Sequence, residues 1–158
     1  MGMKSWFKRI IGKSAYPGRE VSATYVRERL EAKFKPRYMS IRDRKFWLMS
    51  RADTEALIHH AWEGLPYYAA DLADCDDFAI TCQADIIRYA ISKNLPLQPP
   101  IGRVKTFWKE GGGHEFQWLM SEEADDFFEP QDRSFYVELW EAENKVGRNL
   151  KEIYFYAP

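Results

Sequence analysis

The sequence predicts a single α+β domain, with helices first and an antiparallel sheet after them, and three observations lead there. Helical periodicity with cap and stop residues recurs through residues 22–93. After Pro99-Pro100 the texture changes to short, aromatic-rich runs separated by Gly, Pro, Asn or charged turns. The chain of 158 residues carries six Trp, nine Tyr and ten Phe, enough length and apolar mass for one core. Helices followed by strands is the α+β order; a parallel sheet would alternate the two. With no internal repeat, low-complexity run or dividing linker, residues 1–158 read as one domain.

Residues 1–13 place Trp6, Phe7, Ile10 and Ile11 on one side of a helix and Lys4, Lys8, Arg9 and Lys13 mostly on the other. Such a helix packs on its own domain, or docks residues 1–15 on a protein partner or a membrane surface. Tyr16-Pro17-Gly18 marks a turn. A helix is predicted over 22–33, with Tyr25, Val26 and Leu30 inward and Pro36 beyond its end. A second is predicted over 53–63, capped by Asp53 or Thr54 and stopped by Gly64 and Pro66. The third, over 75–93, has Asp74 as N-cap, Asn94 as its C-terminal signal and Pro96 to prevent continuation. Strands are predicted over 103–109, 115–120, 125–129, 135–140 and 150–156.

A formal charge of −1 gives no concentrated basic face for bulk capture of nucleic acid. No apolar run approaches the roughly 20 residues that a membrane-spanning helix needs. Cys75 and Cys82 lie two turns apart on one helix, a rise of roughly 10.5 Å, beyond the reach of a disulfide. Two unpaired thiols and no secretory segment point to a reducing setting, cytoplasmic or virion-associated.

The candidate chemistry starts at Asp74-Cys75-Asp76-Asp77-Phe78-Ala79. Cys75 falls in the first turn of the third helix, where unpaired N–H groups and the helix dipole favour a thiolate. The same residue also lies on the stripe formed by Phe78, Ala79, Cys82, Ile86 and Tyr89, so a core role competes with a nucleophilic one. His114 follows Gly111-Gly112-Gly113 and opens a strand on which it shares a face with Phe116 and Trp118. His59 and His60 sit mid-helix without a Cys or carboxylate at ligand spacing, so no metal site is expected. If strands 114–120 and 123–129 meet around the two-residue turn Ser121-Glu122, Glu129 lies directly opposite His114. A wider turn brings Gln131 there instead, or puts His114 and Glu129 on different faces. Imidazolium beside thiolate, steadied by a carboxylate, is a coherent nucleophilic device, with the Cys75 backbone N–H as a first oxyanion donor.

The order Asp-Cys-Asp-Asp-Phe-Ala, then Gly-His, then Phe-Glu-Pro-Gln, with Leu65-Pro66-Tyr67-Tyr68 upstream, resembles the transglutaminase-like/papain-like cysteine peptidase superfamily. Within it, the pattern is most similar to bacterial and phage proteins related to the protease domain of the Marasmius mushroom agglutinin. The resemblance spans roughly residues 40–140. It implies a papain-like/transglutaminase-like core in which Cys75 is nucleophile, His114 base and Glu129 orienting acid. Gln131, Tyr68, Asp76 and Trp118 would then contact substrate. Calcium dependence is implied too, with Asp74, Asp76 and Asp77 nearby but no spaced calcium loop. Two positions depart from the pattern: Ala69 stands where papain-type enzymes carry an oxyanion Gln, and Glu115 follows the His. The expected function is a cysteine hydrolase, peptidase or amidase, acting on a peptide or protein through an acyl-thioester at Cys75. Transglutaminase-type acyl transfer would differ in acceptor. The alternative is a catalytically silent structural or adaptor protein of a phage or bacterial assembly.

Overall fold

A computed structural model describes residues 14–63, 75–109, 111–131, 133–136 and 150–157. The amphipathic segment 1–13, the stop signal at Gly64 and Pro66, the Asp74 cap and Tyr68 lie outside the described residues.

Chain order begins with a strand, β1 (Gly18–Ser22), which runs straight into α1 (Ala23–Phe34). Ser22 caps that helix, its side-chain oxygen accepting from the Tyr25 N–H, and Val26 and Leu30 are its buried residues. Lys35 closes it in the left-handed region at φ 47°, and its N–H donates to the Glu31 carbonyl. β2 (Tyr38–Ile41) and β3 (Lys45–Met49) follow. Next comes α2 (Arg51–Trp62), which starts earlier than its sequence signals suggest. The cap is Ser50, whose hydroxyl accepts from the Asp53 N–H at 3.1 Å, while Thr54 Oγ1 donates to the Ser50 carbonyl at 2.8 Å. Asp53 and Thr54 therefore serve the cap from inside the first turn. α3 (Cys75–Ser92) matches its predicted span, with Asn94 at φ 57° and the Leu95 N–H returning to the Ala90 carbonyl.

The remaining strands are β4 (Ile101–Trp108), β5 (Gly113–Met120), β6 (Asp125–Glu129), β7 (Ser134–Tyr136) and β8 (Leu150–Ala157). They form a six-stranded sheet in the order β2-β8-β4-β5-β6-β7, in which only β2 and β8 pair in parallel. β1 and β3 make a separate antiparallel pair. The α+β class is observed, but helices do not simply precede strands: three strands interleave with the first two helices. β2 finds its partner at the far end of the chain, a pairing for which the local sequence carries no signal.

Alternation along the strands sends side chains to two cores, one on each side of the sheet. Val104, Phe116, Trp118, Phe127 and Phe155 pack with Val26 and Leu30 of α1. Leu119 and Phe128 pack with Leu57 and Ile58 of α2 and with Phe78, Cys82 and Ile86 of α3. Two adjacent acids of β6 follow the same alternation. Asp125 pairs with Arg29 of α1 at 2.8 Å, and Asp126, 1% exposed, with Arg51 of α2 at 2.8 Å. Burial pushes both carboxyls above the usual range, and the facing arginines pull them back only in part.

One glycine is required by close approach. Gly102 pairs directly with Trp118, and a Cβ there would lie 2.0 Å from the Tyr156 carbonyl oxygen and 2.7 Å from the Trp118 indole nitrogen. Its bare backbone lets the indole cross β4 and donate to that same carbonyl at 3.2 Å.

Candidate functional site

Cys75 is the first residue of α3, and the helix is fixed against the sheet one turn later. Gln117 Nε2 on β5 donates to the Ala79 carbonyl at 2.6 Å, a buried link that holds the helix start over the strand carrying His114. The His114 end of β5 is set by the β4–β5 hairpin. Gly111 and Gly112 take φ of 93° and 83°, and the Trp108 N–H donates to the Gly112 carbonyl at 3.2 Å.

The hairpin register differs from the one expected. Met120 pairs with Asp125 and Gln117 with Phe128, because the turn spans residues 121–124 and not Ser121-Glu122 alone. The Ser121 N–H and hydroxyl both donate to the Ala124 carbonyl, and the Ala124 N–H returns to Ser121 Oγ. Continued outward, this pairing puts Gln131 opposite His114 and Glu129 opposite Phe116. His114 and Glu129 are nonetheless hydrogen-bonded, Nε2 to Oε2, as diagonal neighbours on one face. The other Glu129 oxygen accepts the Gln131 N–H at 3.0 Å, so a backbone group orients the carboxylate. Glu129 is only 8% exposed.

Cys75 lines the same cavity as His114, close enough for its side chain to act on the ring. Burial disfavours the imidazolium, but the hydrogen bonds and negative charge of Cys75 and Glu129 outweigh it. The net result pushes His114 up from 6.5 to about 10. Cys82 contrasts sharply. It is fully buried, and burial above all, with Asp85 and Glu129 adding to it, raises its thiol well above the ordinary value. Both cysteines are free.

Cys75 and His114 line one cavity of about 330 Å³. Asp76 joins Cys75 on its helix side; Lys105, Phe107 and Glu115 join His114 on its strand side, with Gly112 and Gly113 at the hairpin end. Of the residues expected to touch substrate, Asp76 is therefore in the cavity. Gln131 contributes its backbone N–H to Glu129, and its side chain is not among those lining the cavity. Trp118 is 1% exposed and committed to the core and to Tyr156, so it presents no face to a ligand. Lys105 and Glu115 carry no sequence signal for a site; only the β4–β5 pairing, which sets them opposite one another, brings them there. His59 packs on Phe135, while His60 stacks on Tyr89 and meets the Ala56 carbonyl at 2.7 Å. Among the described residues no cluster of three or more His, Cys, Asp or Glu side chains is arranged to hold a metal ion. Nor is any described helix long and apolar enough to cross a membrane.

No family model matches the sequence, and no curated protein matches it. Solved structures do share its fold. One, described as a PSL1a–E64 complex, superposes with a TM-score of 0.65 at 17% identity, covering 86% of this chain and 51% of that one. Another, Polyporus squamosus lectin bound to the human-type influenza-binding epitope Neu5Aca2-6Galb1-4GlcNAc, gives 0.61 at 18% identity, covering 86% and 49%. The chain spans about half the length of these structures, and at such identities the likeness shows the fold alone. These structures, one of them described as a lectin, stand where the sequence pattern leads one to expect the papain-like/transglutaminase-like peptidases and the Marasmius agglutinin protease relatives. The assignment to that superfamily does not hold. With it fall the cysteine hydrolase reading, peptidase or amidase, and the peptide or protein substrate. The adaptor alternative gains nothing in return, since its docking helix lies outside the described residues.

Proposed function

We propose that Cys75, His114 and Glu129 form a reactive-thiol site, which takes an electrophilic carbon of a bound ligand into a covalent bond with sulfur. One observation carries this reading: the His114 ring, hydrogen-bonded to Glu129, shares the wall of one cavity with Cys75. An imidazolium beside a cysteine favours the thiolate, and the thiolate is the nucleophilic form. Glu129, fixed by the Gln131 N–H, keeps the ring in one orientation. Iodoacetamide tests the site directly. The sulfur attacks its methylene, the new C–S bond forms as C–I breaks, and iodide leaves with the bonding electrons while His114 takes the thiol proton. Mass mapping of the folded protein should find carbamidomethyl on Cys75 and none on buried Cys82, with Cys75→Ala leaving the protein unlabelled. Labelling confined to Cys82, or none before unfolding, would sink the proposal.

A second reading, carbohydrate binding, has one specific support, the description of a fold neighbour as a lectin bound to a sialylated epitope. Calorimetric titration of that trisaccharide decides it, and no heat at millimolar concentration removes it.

A further inference from the structure

The cavity beside Cys75 has two walls of opposite electrical character. Its helix wall offers Asp76. Its strand wall offers Lys105 and Glu115, directly paired across β4 and β5. Glu115 is a buried carboxylate serving two cations, bonded to Arg103 Nη1 and lying 3.6 Å from Lys105 Nζ. One carboxylate cannot neutralise two cations, so the trio leaves one positive charge over. Arg103 holds the closer contact, and Lys105, the looser partner, lines the cavity. The surplus charge therefore faces the space next to the sulfur. A second cavity of about 360 Å³ is lined by Arg103, Arg42, Tyr156 and Gln83 among others, again with cationic groups on its walls.

Resting on the reactive-thiol reading above, we propose that Lys105 selects the ligand of this site. On this view the electrophilic carbon that meets Cys75 carries a carboxylate or another anionic group, which docks on the Lys105 ammonium. Asp76 on the facing wall repels such a group and so directs it to the strand side. The selection acts through charge at short range, so it favours anions over neutral molecules of the same shape.

Iodoacetate and iodoacetamide form the natural probe pair, since they react by the same displacement and differ in charge. The quantity read is the ratio of their rates at Cys75. Lys105→Met should lower that ratio about three- to tenfold, through the iodoacetate rate alone. Lys105→Arg should keep it near the wild-type value, and added salt should lower it in wild type more than in Lys105→Met. Should Lys105→Met fail to fold, Lys105→Gln tests the same loss of charge. Iodoacetamide labelling with a ratio indifferent to Lys105 overturns this proposal and leaves the thiol site standing. Failure of both reagents at Cys75 overturns the thiol site and this proposal together.

Discussion

Replacing His114 by alanine should slow iodoacetamide capture by Cys75 about 10- to 30-fold at pH 7. The estimate follows from ionisation: a thiol with the ordinary value near 8.5 is roughly 3% thiolate at neutral pH, whereas one paired with an imidazolium is mostly thiolate. The lower intrinsic nucleophilicity of a stabilised thiolate trims the difference, hence the range. The pH dependence carries the sharper signature. His114 is pushed up to about 10 by its bonds to Cys75 and Glu129. Its imidazolium therefore persists through neutrality, and under the reactive-thiol proposal the wild-type rate should be nearly flat from about pH 7 to 9. In the alanine variant the rate should climb across that interval, so the gap between the two proteins closes as the pH rises. The same shift bears on stability, and its sign is set by direction. A histidine raised in the folded state stabilises fully below its unfolded value of 6.5, and that contribution is lost as the pH rises through about 10. Parallel rate profiles for wild type and variant would show that the imidazole does not govern the sulfur.

Gly102→Ala should be among the most destabilising single-methyl changes in the chain. Its Cβ would sit 2.0 Å from the Tyr156 carbonyl, a backbone atom of β8, and 2.7 Å from the Trp118 indole nitrogen. β4 is a central strand, held by β8 on one side and β5 on the other, so it cannot swing away from one partner without straining against the other. The methyl must part β4 from β8 and dislodge the indole from the carbonyl it bonds. Overpacking of this kind costs about 3 kcal/mol, which for a domain of this size lowers the thermal midpoint by roughly 6–12 °C. Alanine at Gly111, where an added Cβ meets nothing within 4 Å, is the informative contrast. Its cost comes only from φ of 93°, and it should leave the Trp118 environment as it was. Calorimetry with near-UV circular dichroism separates the two outcomes. An unchanged midpoint for Gly102→Ala would mean that the strands part more easily than their packing implies.

What the sequence discloses of this fold is what local chemistry decides. Helix spans follow from caps and stops, so α1 and α3 are legible almost to the residue: Ser22 and Asn94 act where their side chains and backbone preferences place them. The start of α2 misleads because Asp53 and Thr54, the expected caps, share one hydrogen-bond cluster with Ser50, and only geometry tells which lies outside the helix. β2 is hidden for the opposite reason, since its partner is remote. The candidate site divides in the same way. Cys75 and His114 stand out because each follows a local signature, a helix start and a glycine run. Glu129 is hydrogen-bonded to His114, but through a register two residues away from the one that its sequence spacing suggests. Lys105 has no signature at all; its place depends on the β4–β5 pairing and on a carboxylate already claimed by Arg103.

That two-residue displacement has an arithmetic corollary. Strand faces repeat every second residue, so sliding β6 along β5 by an even step keeps Glu129 and His114 on the same side of the sheet, merely exchanging a diagonal reach for a straight one. An odd step sends the carboxylate through to the opposite side. The loop at 121–124 is thus a lock on the imidazole's partner: a register tightened by two residues sets the pair face to face, one loosened by two parts them by four positions along the strand, and a slip of one sends the carboxylate to the other face, even if every side chain in the cavity stays unchanged.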